Sequence, residues 1–208
     1  MTRFNSLLVL LFLISPAVCQ QSSQPADPIP DQGGGGAILY SEGGAFMIAA
    51  PKGWSLDREV GQRLGTCCVF YPEGSTWDDA ETVIYPNIVS KGPGQQTLHE
   101  LMASDLNDFR DHNPKMSFED GEEIRLKNHG TAKVRYFYNV NQGSSEAVAY
   151  VDEEKIIALV VVSSKTRKGL NESIPLLRSA LQTYAYMDVR LSNKVKASSG
   201  PSAQSPKD

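Results

Sequence analysis

Seven consecutive apolar residues, Ile156-Ile-Ala-Leu-Val-Val-Val162, constrain this chain more than any other stretch. Successive strand side chains point to opposite faces, so apolar residues at both parities mark a strand covered on both sides. The segments around it read as strands too, at residues 122–126, 131–140, 146–151 and 155–163. Their connections are Asn128-His-Gly130, Asn141-Gln-Gly-Ser-Ser145 and Asp152-Glu-Glu154. None is long enough for a helical crossover, which predicts an antiparallel meander.

Upstream, residues 37–40 and 45–49 flank Ser41-Glu-Gly-Gly44, a setting for a tight turn between two short strands. Pro51-Lys-Gly-Trp54 stops the second of them. Further strands are expected at 66–71 and 82–90. Pro86 confines its position in the latter to an edge or a bulge, because proline gives a ladder no donor.

Two helices accompany the sheet. Thr97-Leu-His-Glu100 has the spacing of a capping box, Leu98, Leu101, Met102, Leu106 and Phe109 form one apolar face, and Asn113-Pro114 ends the pattern. The second helix spans about residues 166–184, with Leu170, Ile174, Leu177, Leu181 and Tyr184 as its stripe. Pro175 inside it predicts a kink, or a start near Ser173. The fold class expected is α+β, an antiparallel β-sheet covered by helices on both faces.

The ends differ from this core. Residues 1–19 read as a secretory signal peptide: Arg3 supplies the charged start, residues 7–14 are unbroken apolar, and Ser15 and Ala17 are small. That run falls short of the roughly 20 residues of a membrane span. A lipoprotein signal would anchor the chain at Cys19, but Pro16-Ala-Val18 departs from the Leu-small-small pattern, so anchoring is not expected. Cleavage after Cys19 or after Ala17 decides whether that cysteine is retained. Residues 20–36, polar then Gly-rich, read as a flexible linker, and residues 188–208 as a disordered tail. The domain is expected at 37–187, and the location as secreted or periplasmic. Without residues 1–19 the chain carries 19 basic against 24 acidic residues, a formal −5, so nucleic acid is not an expected partner.

Four stretches together resemble the PsbP-like family. They are Phe46-Met-Ile-Ala-Ala-Pro51-Lys-Gly-Trp54, Phe70-Tyr-Pro-Glu-Gly-Ser-Thr-Trp77, Gly130-Thr-Ala132 leading into Tyr136-Phe-Tyr138, and Ala147 to Tyr150 before Asp152. The resemblance covers about residues 40–184. It implies an α/β/α sandwich, seen in extrinsic photosystem II proteins and in secreted bacterial proteins of unassigned role. It brings no catalytic residues, and nothing here implies a photosystem role.

Candidate chemistry is sparse. Cys67 and Cys68, placed in a strand, would face opposite layers and pack as small apolar side chains; the alternatives are a redox role as a strained adjacent disulfide, or an intermolecular or metal-binding role. Asp105, Asp108 and His112 fall on one helix face and would suit a divalent metal, although a histidine near a helix C-terminus is favoured by the dipole alone. Trp77, Asp78 and Asp79, with Tyr85 on the proline-marked strand, combine aromatic and acidic groups into a ligand or partner surface. Nucleophile elbows, HExxH and phosphate loops are absent from the sequence. No cofactor is expected. The expectation is a non-enzymatic binding or assembly module for a protein or small molecule. The alternative is an extracytoplasmic hydrolase or thiol enzyme with a site assembled from distant residues.

Overall fold

The computed structural model describes residues 35–92 and 97–188; the expected signal peptide, nearly all of the linker and all but the first residue of the tail lie outside them. The chain runs β1 (Gly36–Ser41), β2 (Gly44–Ala49), β3 (Trp54–Asp57), α1 (Arg58–Arg63), β4 (Val69–Pro72), β5 (Thr82–Ser90) and α2 (Leu98–His112). It continues β6 (Ser117–Asp120), β7 (Ile124–Arg125), β8 (Thr131–Tyr138), β9 (Ser145–Asp152), β10 (Ile156–Ser164), α3 (Arg167–Leu181) and β11 (Ala185–Met187). The fold is mixed α+β, and the strand pairings among the described residues are antiparallel. Among these residues no helix is long and apolar enough to cross a membrane.

An eight-stranded sheet has the order β3-β4-β5-β10-β9-β8-β6, with β7 also on β8, and β1-β2-β11 make a separate three-stranded sheet. The meander is β8-β9-β10 as expected, and β10 is its most buried strand. Ile156, Ala158, Val160 and Val162 join one core cluster with Leu170, Leu177, Ala180 and Leu181 of α3, and with Leu39, Phe46 and Ile48 of the small sheet. Ile157, Leu159 and Val161 join another with Leu101, Met102 and Phe109 of α2. The floor facing α3 contains Ala132, Ala147, Ala149 and Ala158, and α3 brings its Cα atoms within 8 Å of those of β10 and β9. The floor facing α2 carries Tyr85, Phe137 and Tyr150, and α2 makes no comparably close backbone approach. Side-chain size sets the spacing of packed elements, so small residues admit a close helix and aromatics hold one off.

Local chemistry explains both long helices. At the start of α2 the Glu100 amide donates to Thr97 Oγ1 while the Thr97 amide donates to Glu100 Oε2, the reciprocal capping box. Helix α3 is capped by Thr166 and runs through Pro175. Gly169 leaves room in its first turn, since a Cβ there would meet Ser164 Oγ and lie 2.8 Å from Glu81 Oε1, and those side chains would have to move aside.

Proline 86 lies where the β4 ladder, which reaches β5 only at Ile84, has already ended. Its carbonyl accepts from Thr66 Oγ1 at 2.7 Å. An internal strand thus has an open flank at the residue that lacks a donor.

Candidate functional site

The largest departure from the sequence reading is the cysteine pair. Cys67 and Cys68 precede β4 instead of lying in it, because the short helix α1 and the turn after it occupy the preceding residues. Asp57 caps α1 by accepting from the Val60 amide at 2.9 Å. Gly61 lets the helix settle on the cysteine segment, for a Cβ there would lie 2.5 Å from the Cys68 Cα. Both cysteines are buried, and both belong to the α3-side cluster, so the expected division between two layers is wrong. Cys67 Sγ lies 3.8 Å from the Ile38 carbonyl, a weak contact to β1.

The expected metal triad also separates. Asp105 is 6% exposed and points toward the sheet, where Tyr150 Oη donates to its Oδ2 at 2.8 Å. His112 is exposed, with Nδ1 2.8 Å from the Asp108 backbone carbonyl rather than its carboxylate. Among the described residues no three His, Cys, Asp or Glu side chains gather as a metal ion would need.

Trp77 and Tyr85 do not form an aromatic surface. They are 7% and 5% exposed, meet edge-on with ring centroids 6.4 Å apart, and belong to the α2-side core. Their place is beneath the exposed acidic turn. There Thr76 Oγ1 donates to Asp79 Oδ2 at 2.8 Å, the Ala80 amide donates to the Thr76 carbonyl at 2.9 Å, and Ala80 is buried. Lys165 Nζ ties the Asp78 and Asp79 carbonyls at 3.1 and 3.0 Å. Residues 76–81 therefore present Asp78 and Asp79 outward on a turn pinned from below and from the side.

Under α2 lies a polar cluster that sequence reasoning missed. Glu146 of β9 is 3% exposed and accepts from Ser163 Oγ at 3.0 Å and from Tyr85 Oη at 3.3 Å. Burial pushes its carboxyl up to about 7, with those hydroxyls working against the shift and the nearby Asp105 charge adding to it. Asp105 is pushed up to about 6, again chiefly by burial; the Tyr150 hydroxyl and Arg135 oppose the rise, and Asp108 adds to it. The phenols of Tyr85 and Tyr150 are held well above their usual value by burial and by these same acids. Arg135 is committed nearby, with Nη1 donating to the Met102 carbonyl at 2.9 Å and Nε to Asp120 at 2.7 Å.

Such a cluster can store and release protons near neutrality. A signal for it existed in the sequence. Asp105 interrupts the apolar stripe of its helix between Leu101 and Phe109, and Glu146 opens a strand apolar at both parities. An acid at an interior position announces a buried partner.

No family model and no curated protein matches the chain. Among solved structures, a point mutant of the protein Mog1 is similar over 74% of this chain and 97% of that one, at 12% identity and a TM-score of 0.46. The solution structure of the cyanobacterial PsbP (CyanoP) from Synechocystis sp. PCC 6803 is similar over 67% of this chain and 85% of that one, at 12% identity and a TM-score of 0.43. Neither likeness assigns a role to any residue here.

Proposed function

We propose that this chain is a secreted or periplasmic, non-enzymatic binding or assembly module, built as a PsbP-like α/β/α sandwich with α2 and α3 on opposite faces of the large sheet. The observation that carries the binding reading is the turn at residues 76–81, whose charges face outward while Trp77, Ala80 and the Lys165 clamp fix its backbone. A recognition loop that is ordered before binding loses less entropy when it binds. Asp78 and Asp79 select a partner that presents cationic groups. Pull-down from the native extracytoplasmic fraction tests this: partner recovery falls for Asp78→Lys with Asp79→Lys while the melting temperature holds. Undiminished recovery by that double variant refutes the assignment.

The alternative, a hydrolase or thiol enzyme, is favoured by one observation: the Glu146 carboxyl, which burial pushes up to about 7, lies within hydrogen-bond reach of the Ser163 and Tyr85 hydroxyls. A screen against ester and amide substrates, with turnover lost in Glu146→Gln, would establish it.

A further inference from the structure

Asp105 and Glu146 stand on the two halves of one interface, the first carried by α2 and the second by β9 in the sheet beneath. We propose that α2 is a pH-responsive cover on this face, closed while the two carboxyls are protonated and loosened when they become anions.

The groups around the pair come from every element packed there. Tyr85 reaches in from β5, Ser163 from β10, Tyr150 from β9, and Arg135 from β8. Helix α2 adds Asp105 itself and, on its flank, Asp108, while Trp77 closes the side against Tyr85. Arg135 is the cation whose charge reaches Asp105 and Tyr150, and its donors are committed to the Asp120 carboxylate and the Met102 carbonyl.

Protonated, both acids fit: hydroxyl partners can donate or accept, so a neutral carboxyl keeps its hydrogen bonds. Ionised, they are like charges across an interface from which water is excluded, and each needs hydration that the closed arrangement denies. Two routes lead to water. Parting β9 from β8 and β10 breaks two full ladders in the middle of the sheet. Lifting α2 gives up the contacts of Leu101, Met102 and Phe109, the Tyr150 bond, the Arg135 bond to the Met102 carbonyl and the Asn113 bond to the Asn139 carbonyl, and leaves every ladder intact. The second is the smaller opening, and local opening follows the cheapest unit. The ranges in which the two carboxyls ionise, about 6 and about 7, place the change between mildly acidic and mildly alkaline conditions. An opened α2 would uncover the aromatic floor together with its own apolar face.

Hydrogen exchange on the full chain at pH 5 and pH 8 tests this, with each amide corrected for its intrinsic rate. From pH 5 to pH 8, protection in α2 should fall on the order of 10- to 100-fold relative to α3. Glu146→Gln should largely remove that difference, and Asp105→Asn should reduce it. Parallel changes in α2 and α3 overturn the proposal, as does a Glu146→Gln protein that keeps the α2-specific loss. Should either variant fail to fold, the α2-to-α3 comparison in the unmodified chain still decides.

Discussion

On the α3 side the large sheet presents Ala132, Ala147, Ala149 and Ala158, whereas on the α2 side the same strands present Phe137, Tyr150 and Glu146, with Tyr85 from β5. The alanine floor gives α3 a close, apolar seat, extended by the small sheet. The aromatic floor holds α2 away and fills the gap with phenols and carboxyls, each needing a hydrogen-bond partner. One sheet thus carries a face specified by volume and a face specified by polar satisfaction. Their vulnerabilities differ accordingly. Added bulk should hurt the first, and altered protonation should hurt the second.

Protonation should give the largest effect. Glu146 has a folded value raised from the usual 4.5 to about 7, so the folded state holds its proton more tightly than the unfolded chain. Its contribution is fully present below about pH 4.5, declines as pH rises toward 7, and is lost above that. Asp105 acts with the same sign from 3.8 to about 6. Asp57 is shifted down, so its opposite effect is confined below its usual range. Urea unfolding should therefore show a loss of about 3 kcal/mol from Glu146 between pH 4 and pH 8. Glu146→Gln should flatten that slope, and a slope unchanged by it would mean other groups govern the response.

Bulk comes next. Ala149→Leu, placed under α3, should cost about 2 kcal/mol by overpacking, read as a lower urea midpoint at any pH. An unaffected midpoint would show that α3 is less tightly seated than its alanine floor implies. A smaller change sharpens the polar side: Tyr150→Phe removes the donor to Asp105 and should cost about 1 kcal/mol, because a buried carboxyl loses its partner. Its carboxyl, followed by carbon NMR, should titrate still higher. Least affected is the exposed turn, where Asp78→Asn should change stability by less than about 0.5 kcal/mol while weakening partner recovery.

The sheet was legible because β10 leaves no ambiguity: residues apolar at both parities admit few environments. The first long helix was legible because Thr97 and Glu100 announce its start, and the second because Leu170, Ile174, Leu177 and Leu181 form one apolar stripe. Helix α1 was hidden by its brevity and by Gly61, a poor helix residue that is present for contact with Cys68 rather than for propensity. Missing that helix extended the next strand backward over Cys67 and Cys68 and assigned them to separate layers. Strands β3, β6 and β11, of three or four residues, carry too few side chains for a period to appear. At the candidate site, Asp105 was assigned by its spacing to Asp108 and His112, although its spacing to Leu101 and Phe109 placed it on the buried face. Trp77 was read by residue type, and type alone does not distinguish an anchor from a platform.

In the small sheet, β2 lies between the first described strand and the last. Gly36 of β1 is opposite Ala49, and Met187 of β11 is opposite Ala45, so the chain enters beside one end of β2 and leaves beside the other. Tension applied between entry and exit would act along the strands, across hydrogen bonds that run perpendicular to them. The load would fall on each ladder as a whole instead of on one bond at a time. A module pulled by its two ends is thereby clasped in shear, with the three-residue β11 ladder as the link that sets its breaking force.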